Sequence, residues 1–148
     1  MTVKGGNSMF TGEYRHKLDA KNRIFIPSKY REVLGEEFFV VKSVRDNYIR
    51  IYTKDEWQRF LDKTELLEAK KREIALRSLN ATAANVTPDD QGRILLPPHL
   101  VAHAQINKNA VILGCGKYAE IWAVENYDKF SAEDDPELVR QLLEEIGL

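Results

Sequence analysis

The sequence predicts a mixed α+β domain, rich in β-strand, in which two copies of one small unit pack about a pseudo-twofold axis with short helices around them. The stretch DAKNRIFIP, residues 19–27, returns as DDQGRILLP, residues 89–97, at an offset of 70 residues. The offset holds without a gap from residue 18 to residue 60, which indicates duplication of one structural unit. One copy alone would bury too little apolar surface to be stable, so we expect the two copies to share a core and to interleave their strands.

Each copy has the same predicted series of short elements. A D-x-x-x-R turn leads into a short apolar strand, and a proline then opens a brief helix, where its missing N–H costs no hydrogen bond. Two strands follow, joined by a turn rich in asparagine or glycine. The predicted strands span residues 24–26, 39–44 and 48–52 in the first copy, and residues 94–96, 110–113 and 118–123 in the second.

Longer helices are predicted from their capping signals. Thr53 and Glu56 have the spacing of a capping box at the start of TKDEWQRFLDK. A helix over residues 68–79 is expected to bridge the two copies. Asp135 is expected to cap a last helix that has Pro136 in its first turn and ends near residue 146.

Composition is that of an ordinary globular protein. The chain is 43% hydrophobic and 30% charged, and no apolar run is long enough to cross a bilayer. The single cysteine, Cys115, cannot form an internal disulfide or build a thiolate metal site alone. We therefore expect a cytoplasmic protein that has no cofactor, no metal, no membrane partner and no small-molecule substrate.

Charge is distributed unevenly along the chain, although the formal net charge is only −1. Residues 14–31 carry six cations against Asp19 alone, a local charge of +5, whereas residues 119–148 carry nine carboxylates against two cations. A solvated surface of uneven composition is the ordinary explanation of such runs. Cations concentrated in a single strand and turn instead favour a polyanionic partner.

The D-x-x-x-R turn of the first copy is the candidate binding surface. Alternation along the preceding strand puts Arg15 and Lys17 on the side of Asp19. Lys21 and Arg23 follow within the turn itself. Asp19 is expected to hold the Arg23 guanidinium by a charge-assisted hydrogen bond. A guanidinium fixed in this way suits phosphate oxygens or a guanine edge.

The second copy keeps the framework of this turn but not its charge. Gln91 stands where the first copy has a lysine, and Asp90 adds a carboxylate. Arg93 alone remains of the four cations. The pair of Asp89 and Arg93 is therefore expected to be mainly structural, and the first copy to do most of any nucleic-acid binding.

No constellation for catalysis stands out in the sequence. His99 and His103 lie four apart on a predicted helix, a spacing that would suit a metal, but no acidic or cysteine partner has convincing spacing. Cys115 lies between two glycines in a predicted turn, without a base that the sequence can identify. The chain is therefore not expected to be an enzyme.

These motifs carry a family resemblance. MFTGEYRHKLDAKNRIFIPSKYRE, residues 9–32, resembles the N-terminal signature of MraZ proteins, and DDQGRILLP followed by YAEIW, residues 118–122, resembles their second half. The resemblance reaches to about residue 130. It implies tandem SpoVT/AbrB-like swapped-hairpin units that form a pseudo-twofold barrel with short flanking helices. Asn22 departs from the glycine usual in the family, but asparagine tolerates the left-handed backbone that such a turn needs.

The resemblance also implies a domain organisation. Residues 1–8 would be an N-terminal extension, residues 13–55 and 83–126 the two SpoVT/AbrB-like domains, residues 56–82 a helical connection, and residues 127–148 a C-terminal helical tail. Family members typically begin at a Met-Phe pair, here residues 9–10. Because Lys4-Gly5-Gly6 can be encoded by a ribosome-binding sequence, residues 1–8 are expected to be a translated leader, with an expression remnant as the alternative.

The same resemblance implies that the protein would be a bacterial transcriptional regulator of the division and cell-wall gene cluster. Such proteins assemble into rings and bind direct repeats of double-stranded DNA in their own promoter, which would place this one at the nucleoid. The binding arginine of the family maps onto Arg23, with Lys21 beside it and Arg15 in the preceding strand.

A protein-interaction module of the antitoxin type is the alternative function. AbrB-like domains also serve as antitoxins whose tails cover a toxin. The acidic tail, residues 131–148, would then bind a basic partner. A stand-alone fold of two units without a disordered tail favours the regulator over this alternative.

Overall fold

The computed structural model describes residues 9–148 of the chain, so the predicted translated leader at residues 1–8 lies outside the described residues. Eight strands and six helices occur within the described range, which gives the predicted mixed, strand-rich class. None of the helices between residues 9 and 148 has the length and apolar character needed to span a membrane.

The elements follow the duplicated order. The first copy contains β1 (Glu13–Lys17), β2 (Arg23–Phe25), α1 (Ser28–Leu34), β3 (Phe38–Lys42), β4 (Ile49–Thr53) and α2 (Lys54–Asp62). A short 3-10 helix (Lys63–Leu66) and α3 (Ala69–Thr82) lead to the second copy. That copy contains β5 (Ala84–Val86), β6 (Arg93–Leu95), α4 (Pro98–Ala104), β7 (Asn109–Gly114), β8 (Ala119–Ala123) and α5 (Val124–Ala132), and α6 (Pro136–Glu145) follows. The predicted strands and helices are confirmed, with ends that differ by three residues at most.

The two copies exchange strands. Six strands form one antiparallel sheet in the order β1-β7-β8-β4-β3-β5, and β2 pairs with β6 in a separate two-stranded ribbon. Read from either end, the order gives equivalent strands of the two copies. Arg50 pairs with Glu120 at the centre of the sheet, and each is the repeat equivalent of the other, so the pseudo-twofold axis passes between them. The predicted interleaving is confirmed, whereas a closed barrel is not, because the strands within residues 9–148 fall into these two sheets.

One apolar core joins the inner face of the six-stranded sheet to the ribbon. Ile24 and Ile94, the central residues of β2 and β6, pair with each other and are fully buried. Tyr30 of α1 and Leu100 of α4 are buried against the same cluster. Full burial of each such side chain stabilises the fold by about 2 kcal/mol. The inward residues of the ribbon therefore anchor it to the core, and its opposite face is not part of that core.

Two aromatic clusters cover the outer face of the six-stranded sheet, one in each copy. Trp57 of α2 is the centre of the first cluster, and Trp122 of β8 is the centre of the second. The surrounding rings are Phe39, Tyr52 and Phe60 in the first cluster, and Tyr48, Tyr127 and Phe130 in the second. Tyr52, Trp57 and Phe60 have their repeat equivalents in Trp122, Tyr127 and Phe130, whereas Phe39 is matched by Asn109. The recurring rings pack helices onto the sheet in both copies.

The helix caps follow the sequence signals in part. The Thr53 hydroxyl accepts a hydrogen bond from the Glu56 backbone N–H at 3.0 Å, as the capping box predicts. The Glu56 carboxylate bonds Arg59 instead of returning to the cap, so the box is half formed. The Asp135 carboxylate accepts from the Glu137 N–H at 3.0 Å and caps α6 as predicted.

Candidate nucleic-acid interface

A single carboxylate organises the first D-x-x-x-R turn. Asp19 Oδ1 accepts backbone hydrogen bonds from the N–H groups of Lys21 and Arg23, at 2.9 and 2.8 Å. The Asp19 N–H donates to the Arg23 carbonyl at 2.9 Å, and the Asn22 N–H donates to the Asp19 carbonyl at 3.0 Å. The two backbone bonds close the turn. The two bonds to the side chain explain why an aspartate precedes the arginine by four residues, because one carboxylate oxygen satisfies two N–H donors that the tight turn would otherwise expose.

The same carboxylate fixes the side chain of Arg23. Asp19 Oδ2 accepts from Arg23 Nε at 2.8 Å, and about a third of each side chain is exposed. The bond uses Nε, so the two terminal nitrogens lie on the far edge of the guanidinium. The predicted bond from Asp19 to Arg23 is thus confirmed, and the outer edge of the guanidinium carries the paired donors that a bidentate contact with an anion requires.

The acidity of Asp19 follows from this geometry. The backbone N–H of Arg23 is the largest influence and lowers the pKa of the Asp19 carboxyl below its ordinary value of 3.8, against an opposing effect of desolvation. Bonds from the Arg23 guanidinium and the Lys21 N–H act in the same lowering direction. Asp19 is therefore ionised at neutral pH, and its charge is available to hold the arginine.

The second turn repeats this arrangement. Asp89 Oδ1 accepts from the N–H groups of Gln91 and Arg93, each at 2.9 Å, and Asp89 Oδ2 accepts from Arg93 Nε at 3.0 Å. The Arg93 backbone N–H is again the largest influence and lowers the pKa of Asp89. The framework of the two turns is therefore the same, and they differ in the side chains around it.

Strand exchange brings the two turns into contact. In the ribbon, Arg23 pairs with Leu95 and Phe25 pairs with Arg93. Arg93 Nη1 lies 3.9 Å from Asp19 Oδ2, so the arginine of the second copy reaches the carboxylate that orients the arginine of the first. Sequence reasoning missed this contact, because it depends on which strands pair and no local pattern encodes that choice.

The outward face of the ribbon is a small surface of mixed chemistry. Ile24 and Ile94 point into the core, so their neighbours Arg23, Arg93 and Leu95 lie on the opposite side by strand alternation. Leu95 is 61% exposed, so this face carries apolar area beside the two arginines. A two-stranded antiparallel ribbon of this kind has the dimensions to enter the major groove of DNA.

The two turns differ at the residue with left-handed backbone. Asn22 has φ of 61° and Gly92 has φ of 80°. A Cβ atom at Gly92 would lie 2.8 Å from Cζ of Arg31, closer than packed atoms allow, and 3.0 Å from a ring carbon of Phe25, which is a tight contact. The Arg31 guanidinium lies over the Phe25 ring, 5.3 Å from its centroid, and its Nε donates to the Ile26 carbonyl at 2.9 Å. The second turn therefore favours glycine, since a side chain there would displace Arg31 and strain the backbone, while the first accommodates asparagine, as the sequence predicts.

Arg15 lies apart from the turn. Its Nη2 donates to Asp128 of α5 at 3.0 Å, and its Nε donates to Glu13 at 3.3 Å. The ring of His16, on the other face of β1, contacts Phe25 of the ribbon at a centroid distance of 5.2 Å. The face of β1 that carries Arg15 is thus directed towards α5, and the guanidinium is already shared between two carboxylates.

Lys17 and Lys21 remain available for a ligand. Both are exposed, Lys17 at the end of β1 and Lys21 at the tip of the turn. Neither makes an ion pair with any residue between 9 and 148. The structure thus groups Lys21 with Arg23 in one turn, places Lys17 at the end of the strand that leads to it, and gives Arg15 carboxylate partners.

The two histidines and the cysteine that the sequence offers as reactive groups are not arranged for metal binding or catalysis in the described part of the chain. His99 Nε2 lies 3.0 Å from the Thr82 carbonyl, and His103 Nε2 lies 3.1 Å from the Asp46 carbonyl. In the described part of the chain no three His, Cys, Asp or Glu side chains are grouped as metal ligands would be. Burial, with a smaller contribution from Glu120, raises the pKa of the Cys115 thiol to about 12, which opposes thiolate chemistry at neutral pH.

Comparison with known protein families gives two matches, one for each copy of the repeat. The model of a family described as "MraZ protein, putative antitoxin-like" matches residues 9–78 and again residues 79–144. "Transcriptional regulator MraZ" of Clostridium tetani is 38% identical over 143 residues, which are 95% of this chain and 100% of the relative. The protein of the same name from Oenococcus oeni is 41% identical over 126 residues, 84% of this chain and 87% of the relative. That of Carboxydothermus hydrogenoformans is 40% identical over 124 residues, 82% and 86% of the two chains. With both repeats matched and nearly the whole chain covered, this protein belongs to the MraZ family.

Proposed function

We propose that this protein is a sequence-specific, DNA-binding regulator of transcription that acts as a ring-shaped homo-oligomer in the cytoplasm, at the nucleoid. Its target is the promoter of the division and cell-wall gene cluster that includes its own gene, where it binds direct repeats. The relatives are named as transcriptional regulators, which supports a regulatory role and gives no support to an enzymatic one. The DNA contact itself is proposed from the geometry of the first turn.

The observation that carries the proposal is the immobilised guanidinium of Arg23. A free arginine loses rotamer entropy when it binds, whereas Arg23 is already held by Asp19 through a 2.8 Å bond. The bond leaves the outer edge of the guanidinium for a base edge or a phosphate. Arg23 is therefore proposed as the residue that reads the repeat, and Asp19 as the residue that positions it.

The lysines are proposed to supply affinity without sequence preference. Lys17 and Lys21 are exposed and have no acidic partner within residues 9–148, so each can neutralise a phosphate. The second copy has Thr87 and Gln91 at the equivalent positions and adds the carboxylate of Asp90, which favours binding through the first turn. Arg15 is proposed as a phosphate contact at the margin, since it would exchange its bond to Asp128 for one to DNA.

Self-association is proposed because one turn alone can make only a few contacts with DNA phosphates. A few cations neutralise only a few phosphates, and affinity rises steeply with that number. Several turns on one ring, each at one direct repeat, would raise the affinity through effective concentration. A ring is therefore proposed as the form that binds the promoter.

The test is a binding assay with the DNA upstream of the protein's own gene. Purified protein is mixed with that DNA and with a shuffled duplex of the same length and base composition, at several salt concentrations. The proposal expects preferential binding to the upstream DNA, and a steep decrease of affinity with salt. Equal binding to the two duplexes would exclude sequence-specific recognition, and absence of binding to either at low salt would exclude the DNA-binding role.

A further inference from the structure

Helix α6 presents an apolar stripe that its own chain leaves exposed. Leu138, Val139, Leu142 and Leu143 are between 40 and 51% exposed, and Ile146 continues the stripe at 78%. The opposite side of the helix is polar, where Arg140 forms ion pairs with two glutamates, one turn before it and one turn after it. A well-capped amphipathic helix with an uncovered apolar side is typical of a segment that docks on another surface.

An apolar groove lies on the outer face of the sheet in the first copy. It has a volume of about 360 Å³ and is formed between α2, α3 and the strands β3 and β4. Its apolar lining is Val41, Val44, Tyr52, Trp57, Phe60 and Leu79. Val44 at its mouth is 86% exposed, so the groove is open to a side chain arriving from outside.

The charges of the groove and of the helix are opposite. Lys42, Arg45 and Arg50 line the groove, and no carboxylate is among its lining residues. Residues 133–148 carry six side-chain carboxylates against Arg140 alone, a formal charge of −5. The apolar stripe flanked by acids is therefore complementary, in polarity and in charge, to a groove lined by apolar and basic side chains.

We propose that α6 of one copy of the chain docks in this groove of a second copy. The inference rests on the self-association in the proposed function, and it names the surfaces that form the contact. The helix and the groove are different surfaces, so each copy offers one of each, and such a head-to-tail contact closes into a ring when the rotation permits. Within one chain, α5 is packed on β7 and β8 of the second copy. The three residues between α5 and α6 span at most about 10 Å, so α6 begins close to the end of α5.

The first test changes the apolar stripe. Leu142→Asp places a charge on it, and Gln141→Asp adds the same charge to the neighbouring polar side of the helix. Both positions are exposed, so neither change disturbs the core. Mass measured by light scattering over a dilution series should show that Leu142→Asp raises the concentration of half-dissociation at least about tenfold, while Gln141→Asp leaves it unchanged.

The second test identifies the partner by cross-linking. With Cys115 replaced by serine, one chain carries Leu142→Cys and a differently tagged chain carries Val44→Cys. After mixing and mild oxidation, a disulfide-linked pair of the two chains is expected, and a control chain with Lys117→Cys should not link to Leu142→Cys. A chain carrying both Leu142→Cys and Val44→Cys that links only within itself would overturn the inference, because α6 would then dock in its own groove.

The outcomes separate this inference from the proposed function. If Leu142→Asp assembles like the unchanged protein, the docking of α6 is overturned, while specific promoter binding can still stand. If the unchanged protein remains monomeric at all concentrations, the inference and the ring are both overturned. If Leu142→Asp dissociates and still binds a single repeat weakly through Arg23, both proposals are supported.

Discussion

The guanidinium of Arg93 lies 3.9 Å from the carboxylate of Asp19, although the two residues belong to different copies of the repeat. Asp19 also accepts the 2.8 Å bond from Arg23, so one carboxylate lies between two arginines. The pair with Arg93 is partly exposed, and such pairs contribute little to stability. We expect this pair instead to restrain the position of the Asp19 carboxylate, which orients Arg23, the residue proposed to read the DNA. The second copy thus contributes a turn of its own and, through Arg93, a contact that supports the first turn.

Replacing Asp19 by asparagine should separate the two roles of this carboxylate. The amide oxygen can still accept from the backbone of Lys21 and Arg23, so the turn should persist. The charge that holds the guanidinium is lost, and DNA affinity should decrease about tenfold. Fluorescence anisotropy with labelled promoter DNA measures the affinity, and circular dichroism confirms the fold. The matched variant Asp89→Asn should change affinity far less, and equal losses in the two variants would contradict the positional role of Asp19.

The exposed lysines should control the salt dependence of binding. Changing Lys17 or Lys21 to glutamine removes one phosphate contact per turn, which should lower the slope of log affinity against log salt by about one for each turn engaged. Lys117→Gln, in the turn between β7 and β8, is the matched control and should leave the slope unchanged. A slope that is identical in all these variants would show that Lys17 and Lys21 do not contact phosphates.

The two left-handed positions should respond differently to substitution. Gly92→Ala adds a Cβ that would meet Arg31 at 2.8 Å, so the free energy of unfolding should decrease by about 1–3 kcal/mol. Asn22→Gly removes a side chain from a residue already at φ of 61°, and should change that free energy by no more than about 1 kcal/mol. Urea denaturation measures both. Equal stability of the Gly92→Ala and unchanged proteins would mean that the ribbon moves away from this contact.

Acid should weaken the two turns only at low pH. The pKa values of Asp19 and Asp89 are lowered in the folded protein, so the stability they contribute is complete above the ordinary value of 3.8 and is lost as pH falls through the lowered values. Between about pH 7 and pH 5 these groups should cause no loss. The double variant Asp19→Asn, Asp89→Asn should show a shallower decrease of the urea midpoint at acid pH. An acid decrease as steep as in the unchanged protein would contradict this assignment.

Local features of the fold could be predicted because each one lies in a short stretch of sequence. Thr53 and Asp135 signal helix starts through oxygen atoms that accept from N–H groups two or three residues later. The alternation of Tyr14 and His16 with exposed charges defines the two faces of β1. The offset between Asp19 and Asp89 reveals the duplication, and the shared turn geometry follows from it.

Long-range relationships could not be predicted in the same way. The bond between Arg15 and Asp128 joins residues 113 positions apart, and nothing in either stretch indicates the other. Strand alternation therefore groups Arg15 with the cations around the first turn, although the structure pairs it with Asp128 of α5. The contact between Arg93 and Asp19 depends likewise on the exchange of strands, which is decided by the packing of the whole core.

The most direct test of the central claim is the affinity of Arg23→Ala for the upstream DNA. Each turn should lose about 1–3 kcal/mol, and several turns on one ring multiply that loss until the band shift disappears. Arg59→Ala, an exposed arginine paired with Glu56 on α2, should bind DNA like the unchanged protein. Light scattering should show that both variants assemble normally. Promoter binding by Arg23→Ala at the affinity of the unchanged protein would contradict the account.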